Sequence, residues 1–222
     1  MHQLAELHAV VKVPRHRQRL VYPWNIQEIK SFSLIRLWKE TSSIEIGSVF
    51  LELAEYNRVS INSDAQDVIS LILRLSRAAF PGGIHAISQK EGKRKPKTIY
   101  PMCCCDLENW HDWIDFLKTG NSPWMGHSPD PGVERTGDIV RIYSDMKSKK
   151  KTSKKYFYIE SSYSYFKQQV KQVERDLNEF LLCIEAWVDD LGVEEGEELK
   201  LKFSEWFHIS PPIFKNQNQR KR

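Results

Sequence analysis

Apolar residues along this chain alternate between a two-residue and a three-to-four-residue period, and the switching predicts strands and helices in one α+β unit. The longest helical pattern steps through Phe166, Val170, Val173, Leu177, Phe180, Leu181, Ile184, Trp187, Val188 and Leu191. It predicts a helix over 164–191, with Gly192 at the position that favours left-handed backbone. Those 28 residues would span about 42 Å, enough to cross a sheet. Ser63 and Gln66 form a capping box ahead of Ala65, Val68, Ile69, Ile72, Leu75 and Ala79, which predicts a helix over 64–80 stopped by Pro81-Gly82-Gly83. Asp106 can cap a third helix over 106–118, where Leu107, Trp110, Ile114 and Leu117 share a face and Gly120 ends the run.

The strand signals are shorter. Residues 49–53 and 58–61 read as a hairpin joined at Glu55, Tyr56 and Asn57. Residues 84–87 and 98–102 flank the basic stretch KEGKRKPK and are expected to pair. Thr136-Gly137 can reverse the chain into a strand over 138–144, which KSKKKTSKK connects to 156–160 in an antiparallel meander. A last strand is expected within 198–209. The first forty residues are the least legible, because the apolar positions in 26–37 fit neither period. The expected architecture is an antiparallel sheet packed against three helices, the last one long. Residues 1–40 are left as a segment of uncertain structure, 41–210 form the α+β domain and 211–222 a basic tail.

Composition narrows the class. Hydrophobic residues make up 41% of the 222 and charged residues 28%, so a core can form without disulfide support. No apolar run approaches the roughly 18 residues of a membrane span, and no membrane partner is expected. The apolar cluster at 9–11 is too short for a signal-peptide core. Cys103, Cys104 and Cys105 are consecutive and Cys183 falls in the long helical pattern, which is no disulfide framework, so a reducing cytosol is expected.

The net charge of +4 is less informative than its distribution. Segment 174–198 holds ten acids against Arg175 alone. Asp189 and Asp190 fall in the last turn of the long helix, where the dipole disfavours acid. Local rules broken without visible compensation mark candidate sites, so Glu185, Asp189, Asp190, Glu194, Glu195, Glu197 and Glu198 form a candidate protein-binding face, with Trp187 as an aromatic anchor if it is exposed. The competing account is a solvated helix end neutralised by the basic tail. The alternative partner is nucleic acid, with phosphates held by Lys93, Arg94, Lys95, Lys149, Lys150, Lys151, Lys154 and Lys155, and Tyr156, Tyr158, Tyr163 and Tyr165 supplying rings. Against it, lysine-rich loops between strands commonly serve solubility, and those tyrosines also suit a sheet-to-helix interface.

No spacing marks a catalytic or cofactor site, and none is expected. His127 could act as a general base if Asp130, Glu134 or Asp138 oriented it, but a turn histidine more often closes its own loop. Cys103-Cys104-Cys105 with His111 offers zinc-type ligands, yet adjacent residues of a strand face opposite ways, so no metal site is expected. Phosphate-binding glycine motifs are absent.

The run PWMGHSPDPGVERTGDIVRIYSD over 123–145, followed by an aromatic strand and a long helix containing VERDLNEFL, resembles a motif of uncharacterised bacterial proteins. Some of these resemble the immunity components of toxin systems. By order of elements the resemblance extends over 45–190. It implies a small cytosolic binding protein without catalytic residues, it implies no specific partner, and it transfers no functional residue; the partner expected for such a module is a protein such as a toxin. The positive net charge departs from the acidic balance common among inhibitors of nuclease toxins. The expectation is therefore a non-enzymatic protein-binding module of inhibitor or immunity type, with nucleic-acid association as the alternative.

Overall fold

The structure is a computed structural model that describes residues 5–14, 22–27, 32–89, 95–148, 150 and 155–209. It is α+β, with two antiparallel sheets and five α-helices among the described residues. The strands β1 (Ala5–Val13) and β2 (Ser33–Arg36) open the chain, followed by the helices α1 (Ser43–Tyr56) and α2 (Ala65–Leu73). Then come β3 (Gly82–Ser88), β4 (Thr98–Ile99), a 3₁₀ turn at Leu107–His111 and α3 (Asp112–Thr119). The meander β5 (Gly132–Thr136), β6 (Ile139–Tyr143) and β7 (Tyr158–Ser162) leads into α4 (Tyr163–Asp190) and α5 (Gly196–Trp206).

The four-stranded sheet has the order β2-β1-β3-β4, so the N-terminal strand is interior. Its residues alternate: Ala5, Leu7, Ala9, Val11 and Val13 point into the core, while Glu6, His8 and Lys12 lie on the other face. The expected pairing across the KEGKRKPK stretch is present, with Ala86 opposite Ile99 and Ile87 opposite Thr98. The meander also forms as expected, with Val133 opposite Ile142 and Ile142 opposite Ile159.

The 28-residue α4 joins the two halves of the core. Near its start Phe166 meets Trp113 at 5.9 Å and Phe116 at 5.5 Å between ring centroids. Toward its end Trp187 stacks on Phe50 of α1 at 5.1 Å and takes Trp24 edge-on at 5.1 Å. Phe203 of α5 continues the series against Phe50, Phe180 and Phe207. Asp176, almost fully buried, is offset by Arg36 of β2 at 2.6 Å and by Gln172 at 2.6 Å, which ties the helix to the sheet edge.

Three expectations are corrected. Residues 49–53 are not a strand of a hairpin but the middle of α1, which Ser42 and Glu45 open with a complete capping box. Every residue from Ile46 to Ala54 is buried, so the helix carries no polar face to reveal its period. Residues 198–209 supply helix, not strand, because Leu199, Phe203 and Trp206 fall on one helical face. The helix expected over 64–80 ends at Leu73, and its cap is Asp64, which accepts from the Asp67 amide at 3.0 Å, rather than Ser63.

Candidate functional site

The acidic residues singled out by the sequence gather where α4 passes into α5. Glu194, Glu195, Glu197 and Glu198 line one open groove of about 660 Å³ together with Gln66, Gly192 and Leu201. Leu201 is 58% exposed among these carboxylates. Glu195 is held in place, accepting from the Gln66 amide and from the Ser70 hydroxyl at 3.4 Å. Among the described residues no lysine or arginine forms an ion pair with these four glutamates. Glu185 stands apart, paired with Lys200.

Two parts of the expected face change. Trp187 is 3% exposed and packs between Phe50 and Trp24, so it is core and not an anchor. Of the two acids in the last turn of α4, Asp189 has local compensation. A Cβ on Gly196 at the start of α5 would stand 3.1 Å from the Asp189 carboxylate, so the positive end of α5 lies against the negative end of α4. Glu197 and Glu198 in the first turn of α5 benefit from the same dipole.

Of the basic candidates, Lys93, Arg94, Lys149, Lys151 and Lys154 lie outside the described residues, whereas Lys95, Lys150 and Lys155 are within them. The roots of the two loops meet: the Lys97 ammonium stands 5.8 Å from the Phe157 ring centroid. Ser88 bonds both backbone groups of Lys97, and Ser144 does the same for Phe157. Two of the tyrosines proposed for stacking are engaged internally, Tyr158 with Tyr143 and Tyr163 under the Arg135 guanidinium, 3.5 Å from its ring centroid.

The Pro-framed turn brings together a set that sequence reasoning missed. Residues 102–103 and 125–127 are zipped by Met102 N to Met125 O at 2.7 Å and His127 N to Cys103 O at 3.2 Å. Cys104 has a φ of 59°, a left-handed turn, so the rule that neighbouring side chains face opposite ways does not hold there. The thiols of Cys103 and Cys104 and an imidazole nitrogen of His127 consequently lie within 4.8 Å of one another, all exposed. Trp124 donates its indole N–H to Cys104 O at 2.8 Å and its ring lies 5.9 Å from that of His127. Gly126 has a φ of 85°, and a Cβ there would stand 2.3 Å from Cys103 O, so only glycine permits this approach.

Cys105 is different from its neighbours. It is buried against Gly83, and burial pushes its thiol up to about 12. Lys12, whose ammonium donates to Met102 O at 2.6 Å, stands close enough to interact with all three thiols, while burial lowers its own pKa. His127 has Cys103, Cys104 and Trp124 for neighbours, and Asp130 is engaged by Lys147 at 3.7 Å. His111, the imidazole first considered with the cysteines, instead meets Asp115 at 3.7 Å. Among the described residues no helix is long and apolar enough to cross a membrane. Comparison with known proteins returned no match to a family model, to a curated protein or to a solved structure.

Proposed function

We propose that the chain is a protein-binding module without chemistry of its own, of the inhibitor or immunity type, which receives a cationic segment of a toxin or similar partner at the α4–α5 corner. One observation carries this: Glu194, Glu195, Glu197 and Glu198 converge on a single groove that also exposes Leu201. Carboxylates gathered in a concavity reinforce one another's field, which steers a basic partner and rejects an acidic one. Leu201 adds an apolar contact on the lining of the same groove. The positive net charge of the chain does not oppose this, because binding follows the local field and the groove is acidic throughout its charged lining. The exposed thiols of Cys103 and Cys104 fit a reducing compartment such as the cytosol.

The test is capture from host lysate by the wild-type chain and by a Glu194→Lys, Glu197→Lys, Glu198→Lys variant; Glu195 is spared because it bonds Gln66 and Ser70. The expected result is one stoichiometric protein retained by the wild type after nuclease treatment and lost by the variant, with an unchanged melting temperature. Retention by the variant would move the interface elsewhere, and a collapse in melting temperature would make the acids structural.

A second reading, association with nucleic acid, is favoured by the meeting of Lys97 and Phe157, which roots both lysine loops at one place. Replacing both loops with Gly-Ser segments should then abolish a binding that falls steeply with salt. An affinity indifferent to both changes removes that reading.

A further inference from the structure

We propose that Cys103, Cys104 and His127 form a binding site for a zinc-class divalent ion, holding it through two thiolates and one imidazole with the fourth tetrahedral position open to water. The three ligand atoms lie within 4.8 Å of one another. Around zinc, with bonds of about 2.3 Å to sulfur and about 2.0 Å to nitrogen, such atoms stand roughly 3.5–4 Å apart. Exposed side chains close the remaining distance, about 1 Å, by small rotations of their own. Binding places both thiol protons in solvent and leaves a neutral Zn(S⁻)₂(N) unit. The Cys103 thiol donates to His127 O at 2.8 Å, and the metal takes the place of that proton.

The backbone around the site supports the assignment. The left-handed Cys104 puts two adjacent thiols on one side of the chain, an arrangement that strand geometry forbids. Left-handed backbone in a non-glycine residue is uncommon, and here it coincides with the obligatory Gly126 and with a φ of 62° at Ser128. Strained positions gathered at one spot are a feature of ligand-holding sites. The indole bond from Trp124 to Cys104 O and the pairing of His127 with Cys103 fix both halves of the ligand set. Cys105 is not a ligand, since it is buried against Gly83 and its sulfur does not belong to the set of atoms lying within 4.8 Å of one another. This site is independent of the acidic groove, so either proposal can fail alone.

The experiment is a titration of the full chain, kept reduced and oxygen-free at pH 7.5, with Co²⁺ alone and then with Zn²⁺. One equivalent of Co²⁺ should produce a thiolate-to-cobalt absorption band that Zn²⁺ abolishes. Cys104→Gly removes a thiol while suiting the left-handed backbone, and His127→Gln removes the imidazole from an exposed position, so neither substitution threatens the fold. Each should weaken binding at least about tenfold. Cys183→Ser and His111→Gln should leave it unchanged. Absence of the band, its persistence in a Cys103→Ser, Cys104→Gly double variant, its loss in Cys183→Ser, or an affinity indifferent to His127→Gln would each overturn the assignment.

Discussion

Burial moves the ionisation of Glu52 and His85 in opposite directions, and the two signs make opposed contributions to stability. Glu52, on the buried α1, is pushed up to about 7, first by burial and then by the charge of Glu55. The folded state therefore holds its proton more tightly than the unfolded one, so this contribution is complete below about 4.5 and is lost as pH rises through about 7. His85 is depressed to about 4 by burial and by neighbouring His8, and its Nε2 is buried with no hydrogen-bond partner among the described residues. Its contribution is complete above about 6.5 and is lost as pH falls through about 4. Glu52→Gln should raise the melting temperature at pH 8, equivalent to about 3 kcal/mol, and do little at pH 4. His85→Phe, which keeps the ring stacked 4.6 Å from Tyr100, should do the reverse, gaining most near pH 4. Calorimetry at pH 4, 5.5 and 8 separates the two. Equal gains at every pH in either variant would show that its group does not titrate in this range. Neither shift was legible in the sequence, because burial on this scale belongs to the packed state.

Helices were legible where one face stays wet and illegible where none does. α4 displayed its period because polar residues punctuate the apolar ones, and its observed bounds differ from the expected ones by one residue at each end. α1 hid because nine consecutive residues are buried, which leaves an apolar run that mimics a strand; its one visible signal was the Ser42-x-x-Glu45 cap. In α5 the spacing of Leu199, Phe203 and Trp206 was available but short. The docking of α1 onto α4 makes a prediction about Trp187. As a core residue stacked on Phe50, Trp187→Ala should cost about 3–5 kcal/mol, far more than loss of an exposed anchor would. Gly47→Ala should cost about 1–3 kcal/mol, since the new Cβ would meet Asn25 O at 2.2 Å and Trp24 at 2.9 Å. It would also disturb the bond from the Trp24 indole to Gly47 O at 2.7 Å. Urea denaturation measures both, and a Trp187→Ala variant as stable as wild type would restore Trp187 as a candidate contact residue.

One contiguous core runs from β1 through the helices to Val140 and Ile159 of the meander, which makes the N-terminal strand part of everything that follows it. That strand escaped the sequence reading because it is interior. Val10 is buried on the face opposite Leu7 and Ala9, so the alternation collapses into an apolar cluster too short to identify. The candidate metal ligands escaped for a related reason: they meet across a turn whose left-handed residue is a cysteine, and no residue type announces that conformation. The place of β1 gives a sharp expectation for truncation. A chain beginning at residue 41 loses Leu7, Val11, Val13, Trp24 and Leu37 from the core together with both β1 and β2, half of the four-stranded sheet. β3 would then present an unpaired edge, and the face of α4 that packs on β1 would be bare. The full chain should unfold in one cooperative transition, whereas the truncated chain should show no transition in circular dichroism and should associate through the exposed edge. A truncated chain that melts cooperatively as a monomer would mean that α1, α4, α5 and the meander hold together without the larger sheet.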